Sequence, residues 1–87
     1  MTPVHFPEVN ITFESPTDLP GSCSPIQGYM GVVQGGVFDG SAHIVVAWHP
    51  SPEDLEKINA GHPVFLSVIG HLPPHFLCMS FGEAVNV

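Results

Sequence analysis

The chain has almost no positive charge. It contains one basic residue, Lys57, and no arginine, against eight Asp and Glu residues, so its formal net charge is −7. Because nucleic-acid affinity comes largely from Lys and Arg contacts with phosphates, we expect no nucleic-acid partner. A phosphate-bearing ligand would have to be held by backbone N–H groups, hydroxyl groups and Lys57.

Cysteines and long apolar runs are equally scarce. Cys23 and Cys78 form no CxxC pair, and the residues after Met1 have neither the basic start nor the apolar core of a secretion signal. We therefore expect reduced thiols and a cytoplasmic location. No apolar run approaches the ~20 residues that cross a bilayer, so no membrane partner is predicted.

Charged residues of either sign make up only 10% of the 87 residues, whereas apolar residues make up 44%. Soluble domains usually carry about 25% charged residues, so a monomer of this composition leaves apolar surface uncovered. A domain this short also buries only ~60–65% of its unfolded surface. We therefore expect a single domain over residues 1–87 that gains stability as a homo-oligomer.

One helix is marked at both of its ends. Ser51 is a favourable N-cap, Pro52 suits the first helical position, and two acids follow in the first turn. Gly61 and then Pro63 end the segment. The pattern predicts a helix over about residues 52–60. Such a short helix is marginal alone and must pack on a sheet.

The remaining pattern predicts an α+β fold with a small, mostly antiparallel sheet of four or five strands. Strands are expected at 9–13, 29–33, 43–48, 64–69 and 75–81. The 43–48 strand is nearly all apolar and is expected to be buried on both faces. Asp39-Gly40 predicts a hairpin turn. The link between the 43–48 and 64–69 strands permits either a βαβ crossover or an antiparallel return.

Two segments are predicted to lack regular structure for most of their length. Residues 1–7 carry two prolines and are expected to form an extended N-terminal arm. Residues 15–26 are rich in proline and serine and are expected to form a loop, acting as either a lid or a spacer.

Neither a metal site nor a catalytic site is predicted. His71, His75 and Cys78 have an H-x₃-H-x₂-C spacing that zinc could use, but the intervening prolines keep the chain extended and strand geometry sends His75 and Cys78 to opposite faces. Ser22-Cys23-Ser24 offers nucleophiles on a loop, yet nothing in the pattern positions a base beside them. We therefore expect a protein that is not an enzyme and needs no cofactor.

A small-ligand site is the alternative that the pattern favours. Trp48 lies at the end of a strand and just before a helix N-terminus, where α/β architectures collect ligands, although a tryptophan there more often fills the core. Glycines allow close backbone approach to a ligand, although they more often form a twisted, bulged hairpin. The predicted ligand walls are Trp48, Tyr29 and Phe13, and the predicted polar contacts come from Thr12, Gly35, Gly36, Ser51 and His49.

Nearly the whole chain resembles a family of small proteins encoded by bacteriophages and prophages. The resemblance is carried, in this order, by Phe6-Pro7-Glu8, Asn10, Thr12-Phe13, Cys23, Pro25-Ile26, Val46, Trp48, Ser51 with Glu53-Asp54, Gly61, Val64, Leu66-Ser67-Val68 and Pro73-Pro74. The chain departs from the family in its longer glycine-rich hairpin and in having only Lys57 as a basic residue in the helix.

The resemblance implies a protein that blunts host defence in the host cytoplasm. One expectation is an anti-defence protein that sequesters a nucleotide-derived immune signal without turning it over. A second is an inhibitor that binds a host defence protein directly, and a third is a small virion component whose N-terminal arm holds a neighbouring subunit. All three rest on analogy with the class of proteins.

Overall fold

The computed structural model describes residues 1–14, 25–70 and 73–86. Five strands and two helices follow one another along the chain. They are β1 (Thr2–Val4), β2 (Ile11–Phe13), β3 (Ile26–Val32), β4 (Ala42–Val45), β5 (Ala47–His49), α1 (Pro52–Asn59) and α2 (Phe81–Val85). No helix within the described ranges has both the length and the apolar character needed to cross a membrane.

The strands form two antiparallel sheets. One has three strands in the order β2-β3-β4, and the other pairs β1 with β5. The predicted α+β class with a mostly antiparallel arrangement is therefore confirmed. Part of the predicted N-terminal arm forms β1, in which Pro3 lies opposite Trp48 of β5.

The β3–β4 hairpin has the predicted turn. Val33 and Ser41 close it through a backbone hydrogen bond of 2.9 Å, and the Gly40 N–H donates to the Val33 carbonyl at 2.8 Å. Gly40 has a φ of 83°, which is the left-handed conformation that Asp-Gly turns require.

The Asn10 side chain lengthens the pairing of β2 with β3. Its Oδ1 accepts from the Met30 N–H at 2.8 Å, and its Nδ2 donates to the Met30 carbonyl at 3.0 Å. The amide group therefore occupies the place of one more strand residue, because it offers one donor and one acceptor as a peptide unit does.

The α1 helix begins with a full capping box. Ser51 Oγ accepts from the Asp54 N–H at 3.1 Å, and Asp54 Oδ2 accepts from the Ser51 N–H at 2.9 Å. The same Asp54 oxygen accepts from the Met1 ammonium group at 2.7 Å. This contact fastens the first residue of the chain to the first turn of α1.

Helix α2 covers one face of the β3–β4 pair. The ring of Phe81 meets Tyr29 edge-on at a centroid distance of 5.1 Å and lies 6.0 Å from the ring of Phe6. Ala84, one turn further along the helix, is only 7% exposed. This small cluster is the core that the described residues share.

Three of the predicted strands differ from the structure. The 43–48 strand is divided at Val46 and is not buried on both faces, since Ile44 and Trp48 are about half exposed. Residues 64–69 form no strand, because no neighbouring strand lies beside them to complete a ladder among the described residues. The strand predicted at 75–81 is also absent, and Phe81 instead starts α2, where Ser80 provides the N-cap.

The predicted helix is present, whereas most of the predicted loop lies outside the described residues. Residues 15–24 of the loop lie outside the described residues, while Ile26 already belongs to β3. The helix ends at Asn59, one residue before the predicted end, and Gly61 follows it with a φ of 86°. Helix α1 contains no fully buried residue, and Leu55 and Ile58 stay partly exposed.

The chain keeps far more surface than a compact monomer of its size. Its accessible surface is 7094 Å², whereas a folded monomer of this mass has about 5,000 Å². Its radius of gyration is 14.6 Å, against about 12 Å for a compact domain of this length. Apolar side chains contribute to this exposed surface, since Phe65, Ile69 and Met79 are 86%, 100% and 95% exposed.

Replacement of Gly28 should test the packing between the strands. A Cβ atom at this position would lie 2.8 Å from both the Val45 carbonyl oxygen and Phe13 Cε2. We expect Gly28→Ala to lower the free energy of unfolding by about 1–3 kcal/mol. Gly82→Ala is the matched control, since a Cβ there meets nothing within 4 Å, and it should stabilise α2 by up to about 1 kcal/mol. Urea denaturation measures both, and equal stability of the two variants would contradict this packing.

Replacement of Asp54 should change how stability depends on pH. The Met1 ammonium group, and then the Ser51 N–H, hold the pKa of the Asp54 carboxyl well below its usual range. A carboxyl whose pKa is lower in the folded state stabilises the fold above its unfolded pKa, and that contribution is lost as the pH falls below about 4. Asp54→Asn should therefore flatten the acid side of the stability curve. Glu53→Gln, in the same helical turn, should leave it unchanged, and identical curves for both variants would refute the Asp54 contact.

Candidate functional site

The eight residues predicted to bind a ligand lie on separate elements. Thr12 and Phe13 are on β2, Tyr29 is on β3, Gly35 and Gly36 are in the hairpin turn, Trp48 and His49 are on β5, and Ser51 caps α1. Two clefts among the described residues have space for a ligand, and none of the eight lines either of them. Their part in ligand binding stays a prediction.

The corner before α1, formed by Trp48, His49 and Ser51, is partly exposed. Trp48 is about half exposed, and its backbone lies opposite Pro3 of β1. Ser51 Oγ already accepts the capping bond from the Asp54 N–H, so its hydroxyl hydrogen and one lone pair are left to reach a ligand. This corner can therefore offer a flat indole face, one hydroxyl group and the exposed imidazole of His49.

Tyr29 and the turn glycines serve the local structure. The Tyr29 ring lies against Phe81 and also over Gly31, where an added Cβ would come within 2.7 Å of Tyr29 Cζ. Gly35 and Gly36 have φ values of 83° and 73°, and the Gly35 N–H donates to Asp39 Oδ1. The Asp39 carboxylate therefore already accepts the Gly35 N–H, which the sequence pattern had assigned to a ligand.

The larger cleft lies between α1 and the chain that follows it. Its volume is about 540 Å³, and it is lined by Met1, Asp54, Lys57, Ile58, His62, Pro63, Val64 and Phe65. The His62 N–H donates to the Lys57 carbonyl at 2.9 Å, which turns the chain back along the helix. The helix stop at Gly61 therefore creates this cleft.

The charges around the larger cleft leave one cation for a ligand. Met1 and Asp54 neutralise one another at 2.7 Å, while Lys57 makes no ion pair within residues 1–14, 25–70 and 73–86. Ile58, Val64 and Phe65 supply apolar walls, and His62 adds an imidazole. The arrangement suits a small anion that also carries a ring or another apolar part.

Sequence reasoning missed this cleft, although it noted Lys57 as the only basic residue. The usable signal was the position of Lys57 in the last turn before Gly61, with His62 and an apolar stretch directly after it. That order of residues does not predict a cleft unless the chain is known to fold back along the helix.

The smaller cleft lies where β1 approaches the start of β3. It has a volume of about 220 Å³ and is lined by residues 3–5 and 25–27. His5 Nδ1 lies 2.8 Å from Gln27 Oε1, so these two polar groups satisfy one another. This cleft offers a ligand less volume and no group of formal charge.

The described residues of the H-x₃-H-x₂-C motif make hydrogen-bond contacts with nearby backbone carbonyl groups. His75 Nδ1 lies 2.9 Å from the Pro73 carbonyl oxygen, and Cys78 Sγ donates to the Ser80 carbonyl oxygen at 3.6 Å. His71 lies outside the described residues. Within the described part of the chain, no group of three or more His, Cys, Asp or Glu side chains is arranged to hold a metal ion.

Comparison with known proteins adds no relative. No protein-family model, no curated protein and no solved structure matches the chain. The resemblance to small phage proteins therefore stays a prediction, and a functional proposal has to rest on the geometry and charge of the chain itself.

Proposed function

We propose that this chain is a non-enzymatic binding protein that sequesters a small nucleotide-derived signal. Within a phage-infected cell, as the family resemblance implies, such a protein would remove an immune signal from solution. The observation that carries the proposal is the position of Lys57, because the only Lys or Arg side chain of the sequence lines the larger cleft.

The two parts of a nucleotide match the two parts of this cleft. The ammonium group of Lys57 provides a point charge for a phosphate, and the His62 ring lies on the same cleft. The Phe65 ring is 86% exposed and is therefore free to stack on a base. The volume of about 540 Å³ is also within the usual range of small-ligand sites, roughly 300–1,000 Å³.

Sequestration asks less of the protein than catalysis does. The proposed ligand is held by one charge and by apolar contacts, and it leaves the cleft chemically unchanged. The cleft is open on one side, so tight retention requires further cover, which an additional subunit can supply.

Ligand retention is the direct test. The purified protein is incubated separately with cyclic dinucleotides and with ADP-ribose-type signals, filtered, and then heat-denatured to release what it held. We expect one of these signals to be retained and to be recovered intact. Retention of none of them would refute the proposed function, and recovery of a cleaved product would show that the protein is an enzyme.

Lys57 variants test the site. Lys57→Gln should weaken binding by about tenfold or more, because one charge-assisted hydrogen bond is lost. Lys57→Arg keeps the charge and should bind within a few-fold of the parent protein, while Glu56→Gln controls for altered helix charge. Binding is measured by calorimetry, and an unchanged affinity of Lys57→Gln would place the ligand elsewhere.

Direct binding to a host defence protein is the second candidate. The observation that favours it is the group of almost fully exposed apolar side chains, which includes Ile69 and Met79 at 100% and 95%. Aromatic residues and methionines of this kind form the centres of protein interfaces. A stoichiometric host protein recovered by pull-down, together with no retained small ligand, would favour this candidate over sequestration.

A further inference from the structure

We infer that residues Val64–Ile69, here called the apolar segment, bind as an added strand to the outer edge of residues 42–49 in a second copy of the chain. The exchange is reciprocal, so each copy gives one segment and receives one. This interface specifies the homo-oligomer expected from composition, and it does not depend on a bound ligand.

The amount of uncovered surface matches a dimer of this kind. The chain exceeds the surface of a compact monomer by about 2,000 Å². Permanent dimers bury roughly 1,000–2,500 Å² on each partner. One extensive contact between two copies would therefore bring the exposed surface into the range of a folded protein.

The apolar segment has the backbone of a strand without a partner. Among the described residues, none of its N–H and C=O groups takes part in a backbone hydrogen bond, and the segment belongs to no helix or strand. Its sequence, VFLSVI, is rich in the β-branched and aromatic residues that fit a pleated sheet. Such a segment binds readily to an open sheet edge.

Residues 42–49 offer that open edge. Strand β4 pairs with β3, and β5 pairs with β1. Strand β1 also contacts β3, and His5 Nδ1, just after β1, lies 2.8 Å from Gln27 Oε1 of β3, which argues that both neighbours lie along one side of residues 42–49. Within the part of the chain that the structure describes, the opposite side has no strand beside it.

The exposed side chains of the two segments have the same spacing. Ile44, Val46 and Trp48 alternate along the edge and are between 37% and 53% exposed. Val64, Leu66 and Val68 alternate along the apolar segment and are between 46% and 51% exposed. When two strands pair, alternate residues lie on one face, so these two sets would form one continuous apolar surface.

Charge does not oppose this contact, although each copy carries a net charge of −7. Residues 40–52 and 58–82 contain no Asp, Glu, Lys or Arg. The paired segments would therefore bring no carboxylates together, and the acids would remain at the rim in contact with water. A reciprocal exchange has two-fold symmetry and closes at two subunits.

Mass measurement and charged variants test the interface without any ligand. Light scattering of the parent protein should give twice the 9.3 kDa mass of one chain. Leu66→Asp and Ile44→Asp should each weaken association by about 100-fold or more, because each buries an unpaired charge in the paired strands. Val37→Asp is the matched control, since Val37 is 96% exposed at the hairpin tip, and it should remain dimeric.

Mixing the two charged variants identifies the pairing partner. A heterodimer of Leu66→Asp and Ile44→Asp chains contains one interface in which both segments are unaltered, whereas either variant alone has two damaged interfaces. We therefore expect mixing to restore a dimer. A mixture that stays monomeric would overturn the exchange. An Ile44→Asp chain that remains dimeric by itself would also overturn it, and would indicate that the apolar segment pairs with the same segment of the second copy.

Hydrogen exchange of the parent protein keeps the test independent of variant folding. Alternate amides in both 64–69 and 42–49 should become more protected as the protein concentration rises. The single tryptophan, Trp48, should shift its emission to shorter wavelength over the same range. A monomer at every concentration, or protection confined to one of the two segments, would overturn the inference. Ligand retention by such a monomer would still leave the proposed function standing.

Discussion

The contact between Tyr29 and Phe81 is the interaction on which the described fold most depends. It joins β3, in the middle of the three-stranded sheet, to α2 near the end of the chain, and Phe6 adds a third ring from the N-terminal segment. Aromatic pairs at this distance contribute about 0.5–1.5 kcal/mol beyond the area that they bury. Gly28 and Ala84 are the only buried residues within the described ranges, so little further burial supports this aromatic contact.

The small core explains why the surface is so apolar. An 87-residue chain with 44% apolar residues cannot bury them all between two small sheets and two short helices. The remaining residues collect in the stretches that follow α1, where side chains such as Phe65 and Ile69 face outward. Assembly with another surface would lower the free energy of this arrangement, since burial of apolar area gains roughly 25 cal/mol per Å².

Assembly and ligand capture would use adjoining parts of the chain. The larger cleft includes Val64 and Phe65, and the apolar segment begins at the same residues. A strand added to a second copy would hold Val64 and Phe65 in a defined position beside Lys57. In the proposed protein, oligomerisation would therefore order one wall of the ligand site and supply the cover that the open cleft lacks.

Local signals in the sequence were reliable where neighbouring residues decide the structure. Ser51 with Asp54 and Gly61 set the two ends of α1, and Asp39-Gly40 set the hairpin turn, because each depends on backbone conformations and hydrogen bonds within a few residues. The sequence also predicted the α+β class. It failed for the strands at 64–69 and 75–81, where apolar runs were present but no strand lies beside them within the described chain.

The sequence by itself determined the helix, the turn, the antiparallel character of the sheets and the shortage of charge. Only the tertiary structure decided which residues meet. It turned the chain after Gly61 back along α1, so that Lys57, His62 and Phe65 share a cleft, and it distributed the eight predicted site residues over separate elements. The reason is physical. Capping and turn preferences act over a few residues, whereas a binding site depends on contacts between distant segments, and these are set by the packing of the whole chain.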